Sequence, residues 1–392
     1  IDKLVNTGVS FVLSIVLARL LGASEYGLVG MTTVFMTFFN VFITSGLGSS
    51  LIRTKDTTRE DYSTIFYFNL VVCLISYIIL YLGAPYIANF YNKPILKDIV
   101  RVLGIALIIG GLSMVQSSIR TKQINVKIET IISFSSTIIA GIISITLAFN
   151  GYGVWSIVWQ NVINAILSSL MFWVTSEWRP HFFFSYTLLK KHLSYGINYL
   201  RSQLTICVSD NIFYFVIGKY YSPSSLGLYT RAETLVNLFS KNIEQTLNSI
   251  IFPTLCKIND DRERLVSVFN DFLSVTSFLA AFFTLNFVAV SDNFVSVALG
   301  AKWIIISYYM KILVISAFFH PVNTINIRIA NVLGYSDVFA NAIAFQRTLW
   351  IILAVTGIYT SFETLLYGTI PVSILTYIYN VNKVKKMIGI SV

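Results

Sequence analysis

The sequence predicts an all-α integral membrane protein of about twelve transmembrane helices in two six-helix halves. Three observations carry that prediction: apolar runs long enough to cross a bilayer, basic residues gathered in alternate loops, and a weak internal repeat at a shared spacing. Of the 392 residues, 55 % are hydrophobic and only 12 % are charged; the mean hydropathy is +0.73. Soluble domains carry roughly twice that charged share. A soluble fold of this composition would leave too little polar surface to cover its core.

A helix needs about 20 apolar residues to cross the hydrocarbon layer. Runs of that kind lie near 4–21, 27–48, 63–85, 99–119, 128–149, 152–174, 194–218, 226–251, 267–291, 305–327, 336–357 and 360–380. Gly110 and Gly111 in the fourth and Pro371 in the twelfth are tolerated, because neighbouring helices can satisfy the freed backbone groups. His320-Pro321 predicts a kink in the tenth. The chain opens on Ile1 rather than Met and shows no secretory signal; it reads as trimmed, so the span count is a lower bound.

Lys and Arg set the orientation. One set of loops holds 17 of the 28 basic residues, among them Arg53, Lys55, Arg120, Lys122, Lys190, Lys191, Arg262 and Lys385. The alternate loops hold five: Arg19, Lys93, Lys97, Lys219 and Lys302. Both termini are therefore expected in the cytoplasm. The net charge of +10 reflects this topology and not a nucleic-acid partner. The longest loop, near 175–193, is aromatic and basic, ends in LLKKH, and is expected on the cytoplasmic membrane surface.

ARLLGASEYGLVGM (18–31) corresponds to GKYYSPSSLGLYTR (218–231), with Gly27-Leu28 over Gly227-Leu228 at an offset of 200. The next loops also correspond, RTKDTTREDYS (53–63) with KINDDRERLVS (257–267), and Arg120 falls over Arg328. The predicted organisation is a bundle over 1–175, an amphipathic linker over 176–193 and a second bundle over 194–392. Six spans per half give both halves one orientation. Such repeats commonly enclose a central site and alternate between inward-open and outward-open states.

Polar stripes mark where the helices face protein or water. Thr33, Thr37, Asn40 and Thr44 share one face of the second span; Asn198, Arg201, Thr205 and Ser209 share one face of the seventh. The eighth carries a broad stripe through Arg231, Thr234, Asn237, Lys241, Asn242, Gln245, Asn248 and Ser249. An ionisable group facing lipid costs several kcal/mol, so Arg201, Arg231 and Lys241 either line a hydrated cavity or pair with acids. Asp210, Glu233 and Glu244 are the available acids. In the structural reading Lys241 pairs with Glu244 at i, i+3, and Arg231 with Asp210 or Glu233. In the functional reading the cations attract an anionic group such as a phosphate. Arg201 has no acid three or four residues away and favours the functional reading. Asp210 lies half a turn off the Arg201 face and reads as a structural partner. Lys311 and Arg347, each alone on its span, are open to either role. His320, beside a proline, reads as a kink or packing residue more than as a proton carrier.

Catalysis and metal chemistry find no motif. Cys73, Cys207 and Cys256 are far apart, the three histidines are dispersed, and no HExxH, GxSxG or Walker sequence occurs. No loop is long enough to hold a soluble domain. No cofactor, no metal and no enzymatic activity are expected.

Specific segments resemble a known family. ARLLGASEYG resembles its first loop through Ala18, Arg19, Leu21, Gly22, Tyr26 and Gly27. The seventh span and the turn after it follow the family pattern through Asp210, Asn211, Ile217, Gly218, Lys219, Leu226, Gly227 and Tyr229. Phe252, Pro253, Leu255 and Cys256 match the end of the eighth. The family is the polysaccharide-transport branch of the multidrug/oligosaccharidyl-lipid/polysaccharide flippase superfamily, the Wzx-type and teichuronic-acid-type exporters. Ser222-Pro223 stands where that family usually has Gly, and two further C-terminal spans common there are not seen. The resemblance implies a MATE-like fold. It also implies flipping of undecaprenyl-diphosphate-linked oligosaccharide across the bacterial inner membrane, coupled to a proton or sodium gradient, for O-antigen or lipopolysaccharide-type assembly beside a polymerase and other biosynthetic enzymes. The protein is expected to act as a monomer. On this reading Arg201, Arg231 and Lys241 attract the diphosphate, while Asn198, Asn40 and Gln245 contact sugar hydroxyls.

Rival readings are a MATE-type multidrug or cation antiporter and a peptidoglycan-precursor flippase. A membrane polysaccharide polymerase or acyltransferase is more distant. A cation exporter needs acids to dominate its cavity, and a polymerase needs a catalytic group in a sizeable surface loop. Neither is evident in the sequence.

Overall fold

The computed structural model describes residues 2–44, 46–124 and 126–388. Among them there is no strand; the chain folds as helices joined by short turns. The helices are α1 (Asp2–Leu20), α2 (Ala23–Thr44), α3 (Leu47–Arg53), α4 (Arg59–Tyr91), α5 (Leu96–Leu112), α6 (Met114–Lys122), α7 (Val126–Phe149) and α8 (Val154–Thr175). They continue as α9 (Tyr186–Tyr220), α10 (Pro223–Lys257), α11 (Arg262–Ala298), α12 (Ile304–Ala317), α13 (Phe319–Val332), α14 (Ser336–Gly357) and α15 (Phe362–Ile388). Taking α2 with α3, α5 with α6, and α12 with α13, the described residues make twelve passes, each enclosing most of one predicted span. Seven passes are long and apolar enough to cross a membrane on composition alone, and the α5–α6 pair makes an eighth. α9 and α10 miss that mark because they carry the polar stripes.

The helix breaks have local causes. α5 and α6 meet at 44°, directly after Gly110-Gly111. The backbone exposed there is satisfied from nearby: buried Asn69 donates its side-chain amide to Gly111 O at 3.0 Å, and Ser113 Oγ donates to Gly110 O at 3.0 Å. The tenth pass is interrupted at Phe318, one turn before Pro321. Proline has no N–H to reach back to the carbonyl four residues earlier, so the interruption falls where the sequence predicts the kink. Between α7 and α8, Gly151 (φ 80) and Gly153 (φ 53, ψ −127) take left-handed conformations that side chains disfavour.

Caps repeat along the chain as the spans do. Thr58 caps α4 with a capping box closed by Asp61. At the corresponding place in the second half, Asp261 caps α11 by accepting from Arg264 N at 3.0 Å. α9 starts at Tyr186, capped by Ser185. LLKKH therefore forms the first turns of this helix, eight residues ahead of the predicted span. The irregular segment before it exposes Phe182 and Phe184, as a segment at a membrane surface would.

By packing the chain divides into two compact units, Ile1–Leu226 and Gly227–Val392. In the first, α4 packs on α5, α7 on α1 and α8, α5 on α8, and α2 on α5 and α9. In the second, α15 packs on α12, α13 and α14, while α11 packs on α12 and α13. Each unit holds an equivalent apolar cluster. One joins Leu47 and Leu51 of α3, Ile65 and Phe66 of α4, and Met114 and Val115 of α6. The other joins Ile251 and Leu255 of α10, Leu265 and Phe269 of α11, and Ile325 and Ile329 of α13. The end of the second pass, the start of the third and the fourth pass supply the core in both units, so the repeat extends from sequence to packing. Outward-facing Val71, Leu74, Ile75, Ile78 and Ile79 on α4 are exposed and suit contact with lipid.

Candidate functional site

In the first unit, the stripe on α2 opens on a cavity of about 290 Å³ between α2, α5 and α8. Val29, Thr32, Thr33, Met36, Thr37 and Asn40 of α2 form one wall; Leu103, Ala106 and Leu107 of α5 and Asn161 of α8 form the rest. No lining side chain is ionisable. Asn161, exposed on α8, was not among the predicted residues. The pair Asn161 and Asn164 at helical spacing is the signal that could have found it. Thr44 continues the α2 stripe but bonds back to Asn40 O at 2.8 Å.

Arg201 sits on α9 with its side chain exposed. Thr205 and Ser209, which share its face, spend their hydroxyl protons on Arg201 O (3.1 Å) and Thr205 O (2.8 Å). Among the described residues no carboxylate lies within ion-pair distance of Arg201. Asp210 is exposed one turn from buried Cys207. The side chains of Asn198 and Gln245 lie outside the described residues.

The second unit holds the other charges. Arg231, Glu233 and Arg347 are half-buried and Lys241 is exposed. Among the described residues Lys241 and Glu244 form no ion pair, the arrangement that the structural reading of Lys241 calls for. Glu244 turns to α13, where Thr324 Oγ1 lies 2.9 Å from its Oε1 and 3.0 Å from His320 O. His320 Nε2 is buried and has no hydrogen-bond partner among the described residues; Glu244 and Lys241 are the charges near its ring. Lys311 is paired across helices, its Nζ 2.6 Å from Asp292 Oδ2.

One constellation went unread in the sequence. His192 Nδ1 lies 2.7 Å from Ser50 Oγ, and His192 Nε2 lies 3.0 Å from Asp61 Oδ1. A carboxylate only accepts, so Nε2 carries the donated proton, and in the neutral ring Nδ1 accepts from the serine. Ser, His and Asp in this order form the relay of many hydrolases. Here the three are only 3 %, 1 % and 2 % exposed, so the hydroxyl has no access to a substrate. The triad acts as a latch tying α9 to α3 and α4. Beside it, Lys122 Nζ bonds Thr54 O (2.5 Å), Lys55 O (3.0 Å) and Thr57 Oγ1 (2.6 Å), fixing the loop after α3.

A twelve-pass helical architecture with polar stripes on its spanning helices, and a polar-lined cavity in one unit, defines a multi-pass integral membrane protein. Comparison narrows the class: residues 16–307 match the family of polysaccharide biosynthesis proteins, and the chain belongs to that family. It is 24 % identical over 270 residues to the teichuronic acid biosynthesis protein TuaB of Bacillus subtilis, covering 68 % of this chain and 56 % of that protein. It is 24 % identical over 305 residues to the succinoglycan biosynthesis transport protein ExoT of Rhizobium meliloti (77 % and 61 % covered). With the lipopolysaccharide biosynthesis protein WzxC of Escherichia coli it shares 21 % over 311 residues (77 % and 62 %). The chain thus spans about three-fifths of the length of these relatives. Its fold matches the inward-closed lipid II flippase MurJ with a TM-score of 0.75 at 16 % identity, covering 97 % of this chain and 87 % of that one. An inward-facing multidrug resistance MATE transporter of the MOP superfamily matches with a TM-score of 0.69 at 12 % identity (98 % and 96 %). The fold is therefore that of the MOP superfamily, as the sequence motifs imply.

Proposed function

We propose that the protein flips an undecaprenyl-diphosphate-linked oligosaccharide across the bacterial inner membrane by alternating access, for assembly of a surface polysaccharide. The observation that carries this reading is Arg201: a guanidinium on a spanning helix, exposed, with no carboxylate in reach among the described residues. Such a group is costly in lipid and suits a diphosphate, which it can hold through bidentate hydrogen bonds. Family membership supports the reading, as do relatives named for the biosynthesis of teichuronic acid, succinoglycan and lipopolysaccharide. In this account Arg231 and Lys241 add positive charge, Asn40, Asn198 and Gln245 meet the glycan, and both termini face the cytoplasm. Glu244, His320 and Asp210 are the groups available for ion coupling. The uncharged lining of the first unit's cavity disfavours a cation antiporter, which needs acids there.

Arg201→Ala is expected to abolish complementation of a flippase-null strain at normal protein level, and Arg201→Lys to restore it in part. Full complementation by Arg201→Ala would remove the cation from the account.

A further inference from the structure

Space, lining and hydrogen-bond capacity in the α2–α5–α8 cavity together identify a ligand class. We propose that this cavity is a subsite for one uncharged sugar residue of the transported glycan, a proposal that rests on the flippase reading above. At about 290 Å³ it stands at the small end of ligand pockets, which run from roughly 300 to 1,000 Å³. That suits one ring and not a whole repeat unit.

The lining is two-sided. Leu103, Ala106 and Leu107 present an aliphatic floor, and Leu103 is buried. Thr33, Thr37, Asn40 and Asn161 present hydroxyls and amides. A pyranose has the same duality, with C–H groups on its faces and hydroxyls around its rim.

The unused hydrogen-bond capacity is also two-sided. Thr33 spends its proton on Val29 O at 3.0 Å and keeps its lone pairs. Asn161 spends one N–H on Ile157 O at 2.8 Å and keeps its carbonyl oxygen and second N–H. The side chains of Thr37 and Asn40 make no hydrogen bond among the described residues, which leaves a hydroxyl and a whole amide. The free groups therefore include both donors and acceptors. A hydroxyl both donates and accepts and can use them all. A phosphate or carboxylate uses only donors and is favoured by a cation, and a cationic ligand uses only acceptors and is favoured by an acid; the lining has neither charge. The cavity thus selects for neutral sugars, while the diphosphate is left to the cationic residues elsewhere.

The test uses saturation-transfer NMR on the purified protein with four probes: methyl β-glucoside, methyl N-acetyl-β-glucosaminide, methyl β-glucuronide and inorganic pyrophosphate. The neutral glycosides should bind. Thr37→Val with Asn161→Leu should weaken them about tenfold, as expected for losing one or two neutral hydrogen bonds, while leaving pyrophosphate unchanged. Asn40→Leu, on an exposed position, should act in the same direction. Size-exclusion profiles of all variants establish that they fold. Glycoside binding unchanged in both variants would overturn the subsite. So would glucuronide or pyrophosphate binding that is lost with the same substitutions, since the cavity would then be an anion site. Because free glycosides are measured, the subsite stands if they bind as predicted while lipid-linked oligosaccharide fails to flip; in that case the flippase reading falls alone.

Discussion

Asp61→Ala is expected to lower the stability of the purified protein by about 2–4 kcal/mol, the cost of leaving a buried donor without its partner together with the loss of a helix cap. Asp61 Oδ1 accepts from His192 at 3.0 Å, and Oδ2 accepts from Thr58 N and Thr58 Oγ1, both at 2.8 Å. The substitution removes every one of these acceptors, leaves the His192 ring buried without its partner, and opens the capping box of α4. Asp61→Asn should lie between wild type and alanine. Its amide oxygen can still accept from His192, but its NH₂ then faces the two Thr58 donors. Glu60→Ala, one residue away and exposed, should have no effect. The apparent melting temperature in detergent reads all three. A wild-type value for Asp61→Ala would contradict the latch.

Gly27→Ala should be comparably severe for a steric reason. A Cβ at Gly27 would lie 1.6 Å from Pro223 O and 2.4 Å from the Pro223 carbonyl carbon. Both are backbone atoms, so no side-chain rotation relieves the overlap, and the start of α10 has to move away from α2. Overpacking typically costs about 1–3 kcal/mol and more when backbone must shift; this site belongs at or above the upper end. Gly83→Ala is the control. It lies inside α4 with nothing within 4 Å of the added carbon, and helix propensity alone should stabilise it by up to about 1 kcal/mol. The two variants should therefore shift the melting temperature in opposite directions, and equal shifts would refute the close approach.

The spans were legible because lipid imposes a length and a polarity on each helix independently of its neighbours. The helix break before Pro321 and the repeat were legible for the same reason: each is written in one or two local segments. Contacts between distant segments were not. Ser50 and His192 are 142 residues apart and Asp61 and His192 are 131 apart, and no periodicity links them. Lys311 looked solitary because its partner Asp292 is on another helix. The Lys241–Glu244 pair satisfied helical spacing, yet Thr324 drew Glu244 across to α13. The start of α9 was missed because Lys190 and Lys191 read as a surface loop, although Leu189 beside them is buried against α3 and α4. Asn40 was read through its stripe, and Asn161 was overlooked because amides on a largely apolar span look incidental until α2 stands opposite.

The central claim is transbilayer movement of a lipid-linked oligosaccharide held by its diphosphate. It is tested most directly in liposomes reconstituted with the purified protein and a polyprenyl-diphosphate oligosaccharide carrying a fluorophore on its glycan, with a membrane-impermeant reductant as quencher. The account predicts that the wild-type protein exposes nearly all of the label to the quencher, and that Arg201→Ala leaves quenching at the outer-leaflet share. Quenching by the wild-type protein no greater than in protein-free liposomes would contradict it.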